Sequence, residues 1–246
     1  MTDDYEKLLG AALWTPRFSQ PLLWCFAEPG QFSLSGPLVD SWHDRSGNGN
    51  NLPGTGATRP VFSRTGYNAD KGAVIFTGSR ILQTTSGTIA SFLAGTNVPV
   101  SVCVTLDLTE GAAREGFAFW DNSAAGPAFV ACTTDNSPFA LRFRRRSDAS
   151  VTATSDNGEV TFGPRTIVYT YNGAVVNIYD QGVHTTVDSP NTLVAPLSID
   201  RFSIGPDEVG GTSMFNLREI VVYDYDVGGT VARYYRAWAK RVSGSL

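Results

Sequence analysis

Short apolar runs alternate with turn-forming residues along most of the chain, and this pattern constrains the fold more than any other feature. Roughly a dozen strand-like runs are separated by turn signals about 8–12 residues apart, as in sandwiches and barrels. Residues 98–108 alternate apolar and polar side chains, which predicts a strand with one buried face. Residues 21–27 are continuously apolar, which is typical of a strand buried on both faces. The pattern predicts an all-β, two-sheet antiparallel sandwich.

Two segments depart from the strand pattern. Residues 2–13 carry acidic residues in a first turn and apolar residues on one face, which predicts a short N-terminal helix. After Thr230 the apolar residues take a helical spacing, and this predicts a C-terminal helix. Its apolar stripe consists of Val231, Tyr234, Tyr235, Trp238 and Val242. We therefore divide the chain into an N-terminal helical arm at 1–20 and a β-sandwich with its C-terminal helix at 21–246.

Turn chemistry supplies further local predictions. Asn172-Gly173 lies between two strand-like runs and is the strongest hairpin signal in the chain, because this pair suits a type I′ turn. Residues 30–37 show no strand pattern and are interpreted as a loop.

Composition narrows the class of protein and of partner. Of the 246 residues 42% are hydrophobic and 17% are charged, which allows a sizeable core and argues against disorder. The net charge of −4 gives no basic field for nucleic acid or an anionic membrane. No apolar run approaches the ~20 residues that cross a bilayer, and no secretory signal begins the chain, so we expect a cytoplasmic location unless the protein belongs to a larger particle. Cys25, Cys103 and Cys132 are interpreted as buried free thiols.

Residues 41–52 form the most distinctive segment of the sequence. Gly47 and Gly49 tolerate positive φ, and Trp42 is expected to anchor the segment by burial. Two alternatives remain open for its function. The loop is a self-bonded turn with Asp44 directed at its own backbone amides, or it is a calcium site. The calcium ligands would be the oxygen atoms of Asp44, Asn48 and Asn50. No other cofactor is expected.

The same segment carries a resemblance to a known family. Together with Trp24, Arg59-Pro60 and residues 73–78, it resembles the concanavalin A-like lectin/glucanase superfamily, in particular its laminin-G-like (LamG) branch. Residues 168–182, 202–205 and 217–223 are similar to a later hairpin and the last strands of that family. The resemblance runs from about Leu22 to Val242. It implies a two-sheet jelly roll with a lectin-like function.

Patterns of catalytic residues are sparse. The glucanases of the family that the chain resembles carry a carboxylate array of the form E-x-D-x-E on one strand, which serves as nucleophile and acid. The nearest acidic cluster here contains Glu219 and Asp224, which would lie on opposite faces of a strand. His43 and His184 are the only histidines available as bases. We therefore predict that the chain is not an enzyme, with glycoside hydrolysis kept as a second alternative.

Candidate ligand-binding residues are aromatic side chains beside polar ones, since such pairs can stack on a sugar and bond its hydroxyl groups. The candidates are Trp120 with Asp121 and Asn122, and Tyr67 with Asn68. The alternative is that these aromatic rings belong to the core.

Candidate partner-binding residues fall into two groups. Arg142, Arg144 and Arg146 share one face of a predicted strand and would suit an acidic partner surface, or they are solvated or protect a sheet edge. The N-terminal arm could dock on a neighbouring subunit or pack on its own domain. Its apolar face includes Tyr5, Leu8 and Leu9.

These observations together predict a non-catalytic, lectin-like structural or adhesion module. The role predicted first is an accessory protein of a bacteriophage virion (decoration, fibre or tail), with protein subunits and a surface glycan as partners. The virion location rests in part on analogy of fold, and in part on the absent secretory signal, the N-terminal arm and the missing catalytic array. The alternative is a free carbohydrate-binding lectin.

Overall fold

Two antiparallel sheets pack face to face in the computed structural model of the chain, which confirms the predicted β-sandwich. The structure describes residues 13–84, 94–95, 98–109, 116–121, 127–133, 141–147, 150–156, 162–173, 175–188, 197–205 and 213–244. Within these residues no helix has the length and apolarity that crossing a membrane requires.

The larger sheet has eleven strands in the described part of the chain, in the order β16-β15-β14-β9-β18-β6-β5-β3-β2, with β1 paired to β18 and β4 to β3. Numbered in chain order, its strands are β1 (Leu23–Phe26), β2 (Phe32–Ser35), β3 (Leu38–Trp42), β4 (Leu52–Pro53), β5 (Val61–Tyr67), β6 (Lys71–Gly78), β9 (Val100–Leu108), β14 (Gly163–Tyr171), β15 (Val176–Asp180), β16 (Val183–Asp188) and β18 (Ser213–Tyr223).

The smaller sheet has the order β13-β12-β11-β10-β17-β7, with β8 also paired to β17. Its strands are β7 (Leu82–Gln83), β8 (Ala94–Gly95), β10 (Phe117–Asp121), β11 (Pro127–Thr133), β12 (Leu141–Ser147), β13 (Ser150–Asp156) and β17 (Leu197–Ile204). Helix α1 (Gly228–Ser243) follows β18, and short 3-10 turns lie at Pro16–Ser19 and Gly56–Thr58.

The core lies between the two sheets and is rich in aromatic residues. Phe117 of the smaller sheet contacts Phe215 of the larger one, with ring centroids 5.7 Å apart. Trp42 is fully buried, as predicted, and its Nε1–H donates to the carbonyl of Phe26 at 3.3 Å. Each such side chain contributes about 1.5–3 kcal/mol through burial. The anchor of residues 41–52 is therefore part of the main core.

Helix α1 covers the outer face of the larger sheet, and this corrects one prediction. We predict β9 to have one solvent-exposed face, but Ser101, Cys103 and Thr105 are as buried as the valines on the opposite face. The reason is that these small side chains lie beneath α1, where Thr105 donates to the hydroxyl of Tyr235 at 3.3 Å. The short side chains on this face of β9 therefore indicate the surface on which α1 packs.

The bounds of α1 differ slightly from the prediction. The helix begins at Gly228, and Asp226 accepts a hydrogen bond from its N–H at 2.9 Å, while Thr230 lies inside the first turn. Gly244 ends it with φ 68°. Its buried residues are Ala232, Tyr235, Ala239 and Ser243, and the rest of the predicted stripe is half-buried.

The hairpin predictions are corrected in detail. Tyr171 at the end of β14 pairs with Val176 at the start of β15, and of the Asn-Gly pair only Gly173 has positive φ, at 96°. Asn172 instead bonds Val175 through both its backbone and its side chain, so the type I′ prediction is wrong there. The two-residue turn with both φ values positive lies at Gln181 (53°) and Gly182 (74°), between β15 and β16.

Strand β2 lies within residues 30–37, which we interpreted as a loop. It is an edge strand of four residues and three of them are exposed, so no buried face produced an apolar pattern. The prediction is wrong because it relied on that pattern.

The predicted N-terminal helix lies outside the described residues, which begin at Leu13. Trp14 packs against Tyr234 and Tyr235, and its carbonyl accepts a hydrogen bond from Arg241 at 2.8 Å. The segment that precedes β1 therefore packs against α1. The domain boundary at residue 20 stays a prediction.

Cys25 and Cys103 are buried free thiols, as predicted, and burial raises the pKa of each well above its ordinary value. The side chain of Cys132 lies outside the described part of the structure.

Candidate functional site

Asp44 is the centre of a loop that hydrogen-bonds to itself. Its Oδ1 accepts from the backbone N–H groups of Trp24 (2.9 Å) and Ser46 (2.8 Å). Its Oδ2 accepts from the hydroxyl of Ser46 (2.6 Å) and the N–H of Asn50 (2.9 Å). The positive φ values of Gly47 (97°) and Gly49 (75°) turn the backbone so that these donors converge.

The loop is also tied to the segment that precedes β1. Nδ2 of Asn48 donates to the carbonyls of Pro21 and Leu22, each at 3.0 Å, and Nδ2 of Asn50 donates to Leu22 at 2.7 Å. Asn50 is only 3% exposed. These bonds fix residues 44–50 as a rigid surface beside residues 21–22.

These hydrogen bonds are the ones expected if the loop is a self-bonded turn, which is the first of the two alternatives for this segment. Among the described residues there is no group of three or more His, Cys, Asp or Glu side chains that could hold a metal ion. Calcium binding by Asp44, Asn48 and Asn50 stays a prediction.

A cavity of about 510 Å³ lies against this loop. It is lined by Arg17, Gln20, Pro21, Leu22, Ser46, Asn48 and Asp224. Three parts of the chain form it: the 3-10 turn with the residues leading into β1, the Asp44 loop, and the residue after β18. The hydroxyl of Tyr225 donates to the carbonyl of Ser19 at 2.6 Å, which joins the first and third parts.

Three polar side chains of the cavity lining have no partner among the described residues. Arg17, Gln20 and Asp224 are exposed, and within the described residues their side chains make no hydrogen bond or ion pair. Some other arginines are paired, as Arg59 is with Asp40 and Arg165 with Asp180 at 3.1 Å. The lining thus offers a guanidinium, a primary amide and a carboxylate to a ligand.

Gln20 has an unusual backbone. Its φ of 48° and ψ of 64° are left-handed, a conformation that costs a side chain other than glycine about 1–2 kcal/mol. Such strain persists where surrounding structure imposes it, and it clusters at functional sites.

A second carboxylate, Glu219, lies far from solvent. It is 0% exposed and accepts hydrogen bonds from the indole N–H groups of Trp24 (2.7 Å) and Trp238 (3.0 Å). Burial raises the pKa of Glu219 to about 7, and the hydrogen bonds from the two indoles and Tyr235 and the charge of Arg218 oppose the rise. Because no solvent reaches it, Glu219 is a structural group under α1.

The predicted sugar platform at Trp120 is half-buried. Its Nε1–H donates to the hydroxyl of Ser203 at 2.8 Å, and the guanidinium of Arg201 lies 5.6 Å from its ring centroid. Asp121 ends β10, with its side chain outside the described structure, and Asn122 is outside it altogether. Ligand binding at these residues stays a prediction.

The second platform does not have the required exposure. Tyr67 is 0% exposed, because it closes β5 inside the core, so its ring offers no face to a ligand. Asn68 follows it in the turn to β6, with φ 47°.

The arginine row lies on β12, whose backbone alone is described there. Strand β12 pairs with β11 on one side and β13 on the other, so it is an interior strand and edge protection does not explain the row. The backbones of Arg142 and Arg144 lie opposite Cys132 and Val130 of β11, and Arg146 lies beside a bulge. Partner binding by this row stays a prediction. The arm residues Tyr5, Leu8 and Leu9 lie outside the described residues.

Sequence reasoning missed Arg17 and Gln20 and mentioned Asp224 only as part of an acidic cluster. No local motif marks them, because the pairing of Trp24 with Val221 is what brings residues 17–22 beside residue 224. Only Asn48 carried a signal, through the glycine- and asparagine-rich loop.

No protein-family model matches the chain, and no match is found among curated proteins. Several solved structures share the fold. A Trypanosoma rangeli sialidase in complex with sialic acid matches with a TM-score of 0.63 and 13% identity, over 93% of this chain and 34% of that one. The binding domain of Botulinum neurotoxin serotype D gives 0.61 and 10%, over 92% of this chain and 54% of that one.

A third structure is domain 4 of AbnA, a GH43 extracellular arabinanase from Geobacillus stearothermophilus, in complex with arabinotriose. It matches with a TM-score of 0.54 and 15% identity, over 78% of this chain and 91% of that one. The chain spans only about a third of the sialidase chains it matches. At these identities the similarity is one of fold. The class that the fold defines is the β-sandwich found in carbohydrate-binding and glycosidase proteins.

One prediction is overturned by these structures. We predicted that the chain is not an enzyme, but its fold lies within chains that are sialidases, so the fold belongs among those that enzymes carry. The prediction is wrong because it rested on the lack of known residue patterns, namely the missing carboxylate array and the presence of only two histidines, and such patterns represent only some types of active site. None of the similar structures named here supports a virion role.

Proposed function

We propose that this protein is a carbohydrate-binding domain and that the cavity beside the Asp44 loop is its site. The observation that carries the proposal is the set of unpaired polar side chains, Arg17, Gln20 and Asp224, around a cavity with a fixed floor.

The chemistry of the lining suits a sugar. Hydroxyl groups both donate and accept, and the lining supplies guanidinium and amide donors together with amide and carboxylate acceptors. A cavity of about 510 Å³ is within the range of roughly 300–1,000 Å³ found for small-molecule sites. The lone guanidinium and the lone carboxylate balance in charge, which favours a polar ligand without a large net charge.

The rigidity of the floor also supports the proposal. Residues 44–50 are fixed by the bonds to Asp44 and by the amides of Asn48 and Asn50. A ligand that binds there does not have to order the loop, so less of the interaction free energy is lost to entropy.

The similar structures point in the same direction. One is a sialidase with sialic acid and another is an arabinanase domain with arabinotriose. The resemblance of residues 41–52 to the laminin-G-like branch also implies a lectin-like function, and as part of the proposal we place the chain among the concanavalin A-like jelly rolls. A role in a virion, with protein subunits as partners, has no support in the similar structures and is left out of the proposal.

The test is a glycan array followed by calorimetry. The full chain is applied to an array of neutral, sialylated and arabinose-containing oligosaccharides, and the strongest binder is titrated. We expect a micromolar to millimolar Kd, and a loss of about tenfold or more in Arg17→Ala and in Asp224→Ala, since each removes ionic hydrogen bonds.

The matched controls are Arg64→Ala and Asp70→Ala, which change the same residue types at exposed positions away from the cavity. We expect both to bind as the wild type does. Absence of binding to every glycan would overturn the proposal, and so would wild-type affinity in the two cavity variants.

A further inference from the structure

We infer that Gln20 is a ligand-contacting residue, that its left-handed backbone is retained to hold its amide at the cavity, and that it reads two adjacent hydroxyl groups of a neutral sugar. This inference rests on the proposed function and adds a substrate class and a residue that sets specificity.

The left-handed backbone of Gln20 costs free energy. Glycine adopts φ near +50° without a Cβ penalty, whereas glutamine has neither that freedom nor the short side chain that lets asparagine and aspartate tolerate it. Gln20 nevertheless has φ 48° at the end of the 3-10 turn Pro16–Ser19, where its N–H donates to the carbonyl of Arg17 at 3.2 Å. The backbone there suits glycine, yet a long polar side chain is present.

The side chain of Gln20 has no structural role within the described residues. It makes no hydrogen bond there, it is exposed, and it lines the cavity together with Arg17 and Pro21. A glutamine that contributed to stability at this position would be packed or bonded. We therefore assign the side chain of Gln20 to ligand binding, on its place in the cavity lining together with its lack of a bonded partner.

The chemistry of the Gln20 amide suits a pair of hydroxyl groups. A primary amide presents one acceptor oxygen and two donor hydrogens side by side. Two hydroxyl groups on adjacent ring carbons can accept from the N–H and donate to the C=O at the same time. A carboxylate or a guanidinium alone offers only one of these functions, so the amide is the group in this lining that matches a vicinal pair.

Gln181 provides a matched control within the same chain. It is also a glutamine with left-handed φ (53°), and it lies in the turn between β15 and β16, where it does not line the cavity. Glycine is therefore compatible with the backbone at both positions, and only one of the two substitutions removes a group from the cavity.

The experiment combines stability and binding in the full chain. Gln20→Gly and Gln181→Gly are compared with the wild type by thermal denaturation and by titration with methyl glycosides of glucose, galactose, mannose and arabinose. We expect both variants to melt at or above the wild-type Tm, because strain at φ is relieved. We expect Gln20→Gly to bind the preferred glycoside about tenfold more weakly and Gln181→Gly to bind it unchanged.

Monodeoxy forms of the preferred glycoside test the hydroxyl pair. Removal of either hydroxyl should weaken wild-type binding about tenfold and weaken Gln20→Gly binding less than twofold, because the contact is already absent. A Tm of Gln20→Gly clearly below that of the wild type would overturn the inference, since the side chain would then serve stability. Wild-type affinity in that variant would overturn it as well.

The outcomes separate this inference from the proposed function. If Arg17→Ala and Asp224→Ala lose binding while Gln20→Gly keeps it, the site stands and the role of Gln20 is wrong. If the wild type binds none of the glycosides and no glycan on the array, both are wrong.

Discussion

Asp44 and Glu219 are two carboxylates that share one tryptophan and differ in almost everything else. The backbone N–H of Trp24 donates to Asp44 at 2.9 Å, and its indole N–H donates to Glu219 at 2.7 Å. Asp44 lies in a surface loop and is bonded by backbone amides and one hydroxyl. Glu219 lies under α1, where it accepts from two indoles and is 0% exposed.

The difference shows that the surroundings of a carboxylate determine its structural role. The donors on Ser46 and Asn50 belong to the same loop as Asp44, and the N–H of Trp24 belongs to β1. This carboxylate therefore fixes the loop that forms the floor of the cavity and joins it to the neighbouring strand. The donors around Glu219 come from β1 and α1, so this carboxylate joins distant parts of the chain. Burial then raises the pKa of Glu219 to about 7, which makes the join sensitive to pH.

The largest expected loss of stability is that of Asp44→Ala, which removes the carboxylate of the surface loop. The substitution leaves the N–H groups of Trp24, Ser46 and Asn50 without their acceptor. We expect it to lower the free energy of unfolding by about 4 kcal/mol, since each bond to a charged acceptor contributes about 1.5–3 kcal/mol and such terms are not additive. Urea denaturation followed by tryptophan fluorescence measures the change.

Asp70→Ala is the control, because the side chain of Asp70 is exposed and, within the described part of the chain, pairs only with Lys71, at 3.4 Å. It should change stability by no more than about 0.5 kcal/mol. An Asp44→Ala protein as stable as this control would show that the loop does not depend on its carboxylate.

The next effect concerns pH and Glu219. Its pKa in the folded protein, about 7, lies above the ordinary value of 4.5, so between these values the folded state binds more protons than the unfolded state. Stability is therefore highest below about pH 4.5 as far as this group is concerned, and it is lost as the pH rises towards 7. The shift corresponds to about 3 kcal/mol.

Urea denaturation at intervals between pH 4.5 and 8 isolates this contribution when the wild type is compared with Glu219→Gln. Other carboxyl groups titrate in both proteins, among them Asp40, whose pKa is lowered by bonds from Ser35 and Arg59, and Asp107, whose pKa is raised by burial. The difference between the two proteins should fall by about 3 kcal/mol as the pH rises to 7 and remain level above it. A constant difference would mean that Glu219 titrates at its ordinary pKa.

Much of the fold follows from the sequence because periodicity reports burial. The continuous apolar run at Leu23–Phe26 and the buried Trp42 are found as predicted. The failures have the same origin. Edge strand β2 has no buried face to mark it, and β9 hides its polar face under α1, a contact between residues more than 100 positions apart (Thr105 and Tyr235 are 130 apart).

The candidate site follows from the sequence only in part. The self-bonded turn around Asp44 is a local structure, and its glycines and asparagines predict it. The cavity is nonlocal, since Gln20 and Asp224 become neighbours only when β1 pairs with β18. Strain at Gln20 also leaves no trace in the sequence, because a glutamine in a left-handed conformation has the same letter as any other.

The smallest effect expected is that of calcium on the Asp44 loop. Both oxygens of Asp44 already accept two hydrogen bonds each from the chain, so an ion would have to displace donors at 2.6–2.9 Å. One carboxylate with two asparagines would also be a poor ligand set, because calcium takes about 6–8 oxygen ligands. We therefore expect millimolar calcium to give no heat in calorimetry and no change in the Tm of the wild type, with Asp44→Ala as the reference. Heat in the wild type that is absent in Asp44→Ala would show that the loop rearranges to release its carboxylate. The conclusion that Asp44 is fixed by its hydrogen bonds, in contrast to the buried Glu219, would then be wrong.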